Sequence, residues 1–182
     1  MELEALNGNI IGIVNYKIKE QFAGLVKDIV VKKPEKALQM VGLDTSYLDK
    51  DFDTLSYKDK NKVILASKLQ DRVIVLNDFS RGLTKKDMEF FKSLFKKVVN
   101  YGRRIVLLDK KGELFLNLVD YIYVVNGKEI LTFKSVFAPD LAPWIQEAKI
   151  VEFTHESLHT GIKINEYKEL DDLLKAIYRI KS

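Results

Sequence analysis

The chain has 182 residues, 47% hydrophobic and 31% charged, enough for one globular domain with a proper core and room for a small appendage. Its net charge of +4 comes from Lys/Arg and Asp/Glu interleaved along the whole length; no nucleic-acid partner is expected, while weak attraction to an anionic membrane surface is allowed. The absence of cysteine excludes disulfides, thiolate metal sites and cysteine nucleophiles, and no apolar run approaches the ~20 residues of a membrane span. The opening MELEALNGN lacks the basic and apolar regions of a secretory signal, so a cytoplasmic location is expected, with any membrane role peripheral.

In chain order, Ile10–Val14 reads as a buried strand. Residues 16–31 read as a loop with a short helix. Pro34 opens a helix with Ala37, Leu38 and Val41 on one face. Residues 60–69 form an amphipathic helix with Val63, Ile64, Ala66 and Leu69 as its apolar set, and Val73–Leu76 suits a parallel strand covered on both faces. Thr84, with Asp87 three residues on, predicts a capped helix to about Asn100, its stripe formed by Phe90, Phe91, Leu94, Phe95 and Val98. Ile105–Leu108 is another strand, followed by a short helix near 113–118 and a strand at Tyr121–Val125. Asn126-Gly127 predicts a two-residue hairpin into Glu129–Phe133. Two helices are expected in the tail, at about 144–159 and 170–180. The alternation of strands and helices argues for a parallel α/β core with a hairpin edge.

The segment Leu55–Leu83, LSYKDKNKVILASKLQDRVIVLNDFSRGL, resembles the signature-to-D-loop segment of ABC-type ATPases, whose usual words are LSGGQ, an apolar strand with Asp-Glu, and a Gly-Leu-Asp turn. IGIVNYKIKEQFAGLVKDIV is similar to the Q-loop segment, EKALQMVGLDTSYLDKDFDTLS to the end of the helical subdomain, and DYIYVVNGKEI to the last core strand and hairpin. In order and spacing these look like the ATPase subunits of energy-coupling-factor transporters, which import vitamins and metal ions. The resemblance implies an α/β fold: the mostly parallel sheet of an incomplete P-loop, ABC ATPase-like domain over 1–138. It also implies a helical subdomain at about 16–70 and a small C-terminal helical appendage over 139–182. The strand that carries the phosphate loop lies inside that family's sheet. Without it, residues 105–108 and 121–125 are expected to pair directly unless residues 1–6 fill the gap.

The residues that handle phosphate in that family are largely replaced. A phosphate loop needs G-x-x-x-x-G-K-S/T, so that backbone amides surround the phosphates and Lys reaches the outer ones. The one Gly-Lys here, Gly127-Lys128, is followed by Glu129. Tyr16 stands at the Q-loop glutamine position, with Gln21 matching another position. Leu55 and Ser56 match the signature, but Tyr57 and Lys58 stand for its glycines and Asp59 for its glutamine. Ser56 also reads simply as a helix cap. Asn77-Asp78 replaces Asp-Glu: Asn is a weak Mg²⁺ partner and the shorter Asp sits back from an attacking water. Asp78 is the residual catalytic candidate, and otherwise a turn cap. Thr84 replaces the D-loop acid, and Lys110, or Asp109 with a one-residue shift, replaces the switch histidine.

Both histidines fall in His155-Glu156-Ser157-Leu158-His159, an H-E-x-x-H word that on a helix sets two imidazoles on one face for Zn²⁺. The extended peptidase pattern fails, with Ile162 and Asn165 at its glycine and third-histidine positions, and Glu166 and Glu169 lie too close for a second-helix ligand. Gly161 ends the helix, so His155 and His159 stay weak metal candidates.

The reading is therefore a non-hydrolysing ABC ATPase-like protein without a cofactor, acting as a structural or regulatory partner of a membrane transporter complex. Its partners would be another ABC-type ATPase subunit, a transporter membrane subunit received on the Phe22–Val41 segment, or a second copy in a dimer. A pair with an ordinary subunit would hold no complete ATP site. The alternatives are an ATP/Mg-binding subunit that borrows partner residues, with Asp78 as base, and a zinc protein or metallopeptidase.

Overall fold

A computed structural model of the chain describes residues 2–161 and 164–180, the last four of these as backbone only. Its centre is a five-stranded sheet of β1 (Ile10–Val14), β2 (Val73–Asn77), β3 (Arg104–Leu108), β4 (Tyr121–Asn126) and β5 (Glu129–Phe133), in the order β2-β3-β1-β4-β5. The first four are parallel and β5 returns antiparallel to β4. The helices are α1 (Val26–Ile29), α2 (Pro34–Met40), α3 (Tyr57–Lys68), α4 (Lys85–Asn100), α5 (Gly112–Phe115), α6 (Lys149–His159) and α7 (Leu170–Ile180).

The strands are near-continuous apolar runs because both sheet faces are covered. Side chains alternate between those faces. Ile10, Val14, Ile74, Leu76, Ile105, Leu107, Ile122 and Val124 pack under α2 to α5, against Val63, Leu65, Phe91 and Phe95. Val136, Leu141, Ile145, Ala148 and Val151 of the tail join this same core. On the other face Ile11, Ile13, Val106, Leu108 and Tyr123 are sealed by Leu3, Leu6, Tyr16 and Ile18. Gly12 is required by a close approach: a Cβ there would lie 2.5 Å from the ring of buried Phe115.

Several expectations are corrected. Residues 105–108 and 121–125 do not pair directly, and the gap between them is filled not by the opening segment, of which residues 2–6 are described, but by β1, with Ile11 opposite both Val106 and Tyr121. β2 is an edge strand, so Val73 and Val75 are only half-buried. The hairpin loop is Gly127-Lys128, one residue later than expected: Asn126 pairs with Glu129, and Gly127 alone takes the left-handed φ of +61°. The helix expected from Trp144 starts only at Lys149, after a 3₁₀ segment at Pro139–Trp144. The intervening backbone is occupied elsewhere, Gln146 N–H donating to Lys110 C=O and its carbonyl accepting from Gly112 N–H, both at 2.6 Å. Leu65, outside the expected apolar set, is fully buried, and Phe90 of the expected stripe is 40% exposed.

Candidate functional site

Parallel strands aim their following loops at one edge, where ligands of open α/β sheets bind. The loops after β1, β2 and β3 enclose a cleft of about 640 Å³ there, lined by Asn15, Tyr16, Lys17, Asp78, Arg81 and Lys110 among others. Two of these loops begin with a residue in the left-handed region, Asn15 (φ 59°) and Asp78 (φ 45°), types that tolerate it better than most side chains. The rim carries Lys17, Arg81, Lys110 and Lys111 against the carboxylates of Asp78 and Asp109.

Most polar groups around this cleft hold the protein's own backbone. Asn77 clamps one residue: its Oδ1 accepts from Ile18 N–H at 3.3 Å and its Nδ2 donates to Ile18 C=O at 3.1 Å. The buried Asp109 carboxylate accepts the amides of Ser80, Lys110 and Lys111 at 2.9, 2.7 and 3.0 Å. The loop after β2 is anchored by Phe79, fully buried, with its ring edge-on to Phe91 at 4.7 Å. Asp78 itself is exposed, its N–H donating to Leu108 C=O at 2.8 Å and its carboxylate 3.5 Å from Lys17.

Ser56 is the cap of α3: its Oγ accepts from Asp59 N–H at 3.1 Å and donates to the Asp59 carboxylate at 2.9 Å. Tyr57 is half-exposed, and the Arg81 guanidinium stacks over its ring at 3.7 Å. Lys58 reaches the first turn of α4, its Nζ 2.8 Å from Asp87. Asp87 completes a capping box with Thr84. Burial alone would raise the Asp87 pKa, but the hydrogen bonds from Lys58 and Thr84 outweigh it and hold the carboxyl down to about 2. The same hydrogen bond raises the Lys58 pKa.

Tyr16, Asp78 and Lys110 thus meet in one cleft, with Asn77 turned beside it toward Ile18; Ser56 lies outside its lining. Tyr16 follows β1, the strand between β3 and β4, and shares the cleft with Asn15 and Lys17 of the same loop.

The weak metal candidates His155 and His159 lie on α6. His155 Nε2 lies 3.0 Å from Phe137 C=O and its Nδ1 3.0 Å from Glu147 Oε1, so both ring nitrogens face oxygen atoms of the protein itself. His159 is exposed, and the described residues contain no cluster of three or more His, Cys, Asp or Glu able to hold an ion.

Sequence reasoning missed Asn61, whose buried Nδ2 donates to Phe79 and Arg81 carbonyls at 2.9 and 3.3 Å. An amide between apolar residues on one helix face was the available signal. It also missed Lys68, bonded to Glu20 at 2.6 Å and to Val75 C=O at 2.7 Å, for which no local signal exists.

No protein-family model matches the chain. Among solved structures, cbiO1 from Clostridium perfringens, part of the ABC transporter complex cbiONQ, superposes with a TM-score of 0.51 at 20% identity, over 83% of this chain and 65% of that one. A metal-chelate type ABC transporter in an inward-facing conformation gives 0.51 at 16% identity, over 71% and 59%. The fold is that of ABC-type ATPase domains. In sequence, the Energy-coupling factor transporter ATP-binding protein EcfA2 of Streptococcus pyogenes serotype M5 (strain Manfredo) is 32% identical over 100 residues, 53% of this chain and 36% of the relative. The chain resembles the ATP-binding subunits of energy-coupling-factor transporters, and the match spans about a third of those relatives' length.

Proposed function

We propose that the chain is an ABC ATPase-like component of a membrane transporter assembly that acts through contacts and does not hydrolyse ATP at a site of its own. The carrying observation is the position of β1. It occupies the place between β3 and β4 where the phosphate-loop strand is expected, and the loop that follows is Asn15-Tyr16-Lys17, without a glycine-rich turn. That loop also lacks the Gly-Lys-Ser/Thr run that a phosphate loop needs. The surrounding chemistry supports the reading: Asn77 is spent on Ile18, and Asp78 opens to solvent beside Lys17. Contact would be made at the cytoplasmic membrane face with a transporter membrane subunit, a second ABC-type ATPase subunit or another copy of this chain. No helix among the described residues is long and apolar enough to cross a membrane.

Titration calorimetry with Mg-ATP, ATP turnover, and tagged purification from detergent-solubilised membranes test this together. The expected result is no saturable Mg-ATP binding, no turnover, and recovery of a transporter membrane or ATPase subunit. Micromolar Mg-ATP affinity or turnover would overturn the non-hydrolysing part, and recovery of no such subunit the assembly part. A second reading, a subunit that binds ATP with a partner's residues, draws on the cations Lys17, Arg81, Lys110 and Lys111 at the cleft. It requires Mg-ATP binding to appear only when the partner is added, and to fall in Arg81→Ala.

A further inference from the structure

At the opposite edge, near the start of β3, a groove of about 290 Å³ runs between α2 and the turn after α4. Lys32, Lys33, Lys36 and Arg103 line it together with Met40 and Tyr101, and no carboxylate does. None of these cations is ion-paired to a described residue. Glu35 and Asp71 are the nearest acids along the chain, and neither lines the groove. The Arg103 Nε is buried without a hydrogen-bond partner, while its side chain reaches back to Tyr101 C=O at 3.3 Å. Beside these charges, large apolar groups project into solvent: Val31 is 74% exposed, Tyr101 75% and Met40 41%. Val31 lies in the loop between α1 and α2, and Tyr101 caps the C-terminus of α4.

We propose that this surface docks on an anionic lipid bilayer, with the cations among the headgroups and Val31, Tyr101 and Met40 at the acyl boundary. The mixture decides between polyanions. Unpaired Lys and Arg attract phospholipid and nucleic acid alike. An aliphatic side chain at a turn tip and an exposed methionine gain nothing from a nucleic-acid backbone, but gain apolar burial at a bilayer interface, where tyrosine also concentrates. Neither signal suffices alone, since stable peripheral attachment takes charge and apolar insertion together. The surface overlaps the Phe22–Val41 segment expected to receive a membrane subunit, but the proposal needs no protein partner: protein-free vesicles test it, so its failure leaves the transporter reading standing.

The full chain is co-sedimented with phosphatidylcholine vesicles and with vesicles that also contain phosphatidylglycerol. Binding is expected only to the anionic vesicles, weakening as salt is raised. Lys32→Glu/Lys36→Glu, both at exposed positions, should lower the partition coefficient by at least about twentyfold, roughly fivefold for each cation removed. Val31→Ser/Tyr101→Ser should lower it while keeping the salt dependence, and circular dichroism should show all variants folded. Equal binding to neutral vesicles, or no loss in the folded Lys32→Glu/Lys36→Glu variant, overturns the proposal. So does a single-stranded oligonucleotide that binds tightly and indifferently to Val31→Ser/Tyr101→Ser, which would assign the surface to nucleic acid.

Discussion

The two edges of the sheet use their side chains in opposite ways. At the carboxyl edge, Asn77, Asp109, Asn61 and Ser56 spend their polar atoms on backbone within reach, tying the loops to one another. At the amino edge, Lys32, Lys36, Val31 and Tyr101 are directed at solvent. A side chain that already satisfies buried backbone costs about 1–3 kcal/mol to redirect, whereas an exposed one costs little. The difference teaches where ligand chemistry can be looked for. At the carboxyl edge of this chain, polar side chains fasten the fold.

The largest effect that would test the contrast is expected at Phe79. It is fully buried between Phe91 and Phe95, and it holds the loop that carries Asp78 and Arg81. Phe79→Ala should cost about 3–5 kcal/mol, because the cavity removes ring contacts that α4 cannot recover by small shifts. Urea denaturation reads this directly. A loss below about 1 kcal/mol would mean that the carboxyl edge is not fastened from beneath.

Asn77 gives a sharper test. Asn77→Asp restores the carboxylate of the resembled family. That carboxylate can still accept from Ile18 N–H, but it cannot donate to Ile18 C=O and sets a charge against it. A loss of about 1–3 kcal/mol is expected, with no gain in Mg²⁺-dependent nucleotide binding. If the variant were equally stable and bound Mg-ATP, the clamp would be incidental and the cleft a ligand site one substitution from working.

Asp87 joins the signature-like segment to α4 through Lys58 and the capping box. Its folded pKa of about 2 lies below the ordinary 3.8, so the unfolded chain takes up the proton first as pH falls. The stability contributed by this carboxylate is complete above the ordinary value and is lost as pH falls toward about 2. Wild type should therefore lose stability across that window. Asp87→Asn should start about 2 kcal/mol lower at neutral pH and fall less steeply, so that the two converge in acid. Parallel curves would show that Asp87 titrates alike in both states.

The strands and most helices were legible because their signals are local: continuous apolar runs, Pro34 at a helix start, and Thr84 three residues before Asp87. What failed depends on distant partners. No residue in Ile10–Val14 says that the strand will lie between β3 and β4. The Asn77 clamp joins residues 59 apart and the Lys68–Glu20 pair residues 48 apart, so neither leaves a mark in a short window. The delay of α6 to Lys149 likewise follows from the pairing of Gln146 with Lys110 and Gly112. The hairpin lies one residue later than its sequence signal for a chemical reason. Asn-Gly favours a turn with two left-handed residues, whereas here Gly127 alone is left-handed and Asn126 stays in the ladder. Motif residues of the cleft were legible by type; their occupation by backbone was not.

The smallest expected effect marks the limit of the contrast. Lys17 and Asp78 face each other at the carboxyl edge, but at 3.5 Å, with side chains 75% and 57% exposed. Water competes for both charges, and the gain from pairing them is offset by the entropy of holding a long lysine in place. Lys17→Ala should leave the urea midpoint unchanged within error, at low and at high salt. Lys68 is the informative control: 10% exposed, it touches both Glu20 and the edge carbonyl of Val75. Lys68→Ala leaves that carbonyl and Glu20 unpaired and should be destabilising where Lys17→Ala is silent. Were Lys17→Ala the costlier of the two, the exposed rim of the cleft, and not the fasteners beneath it, would be holding the loops after β1 and β2 together.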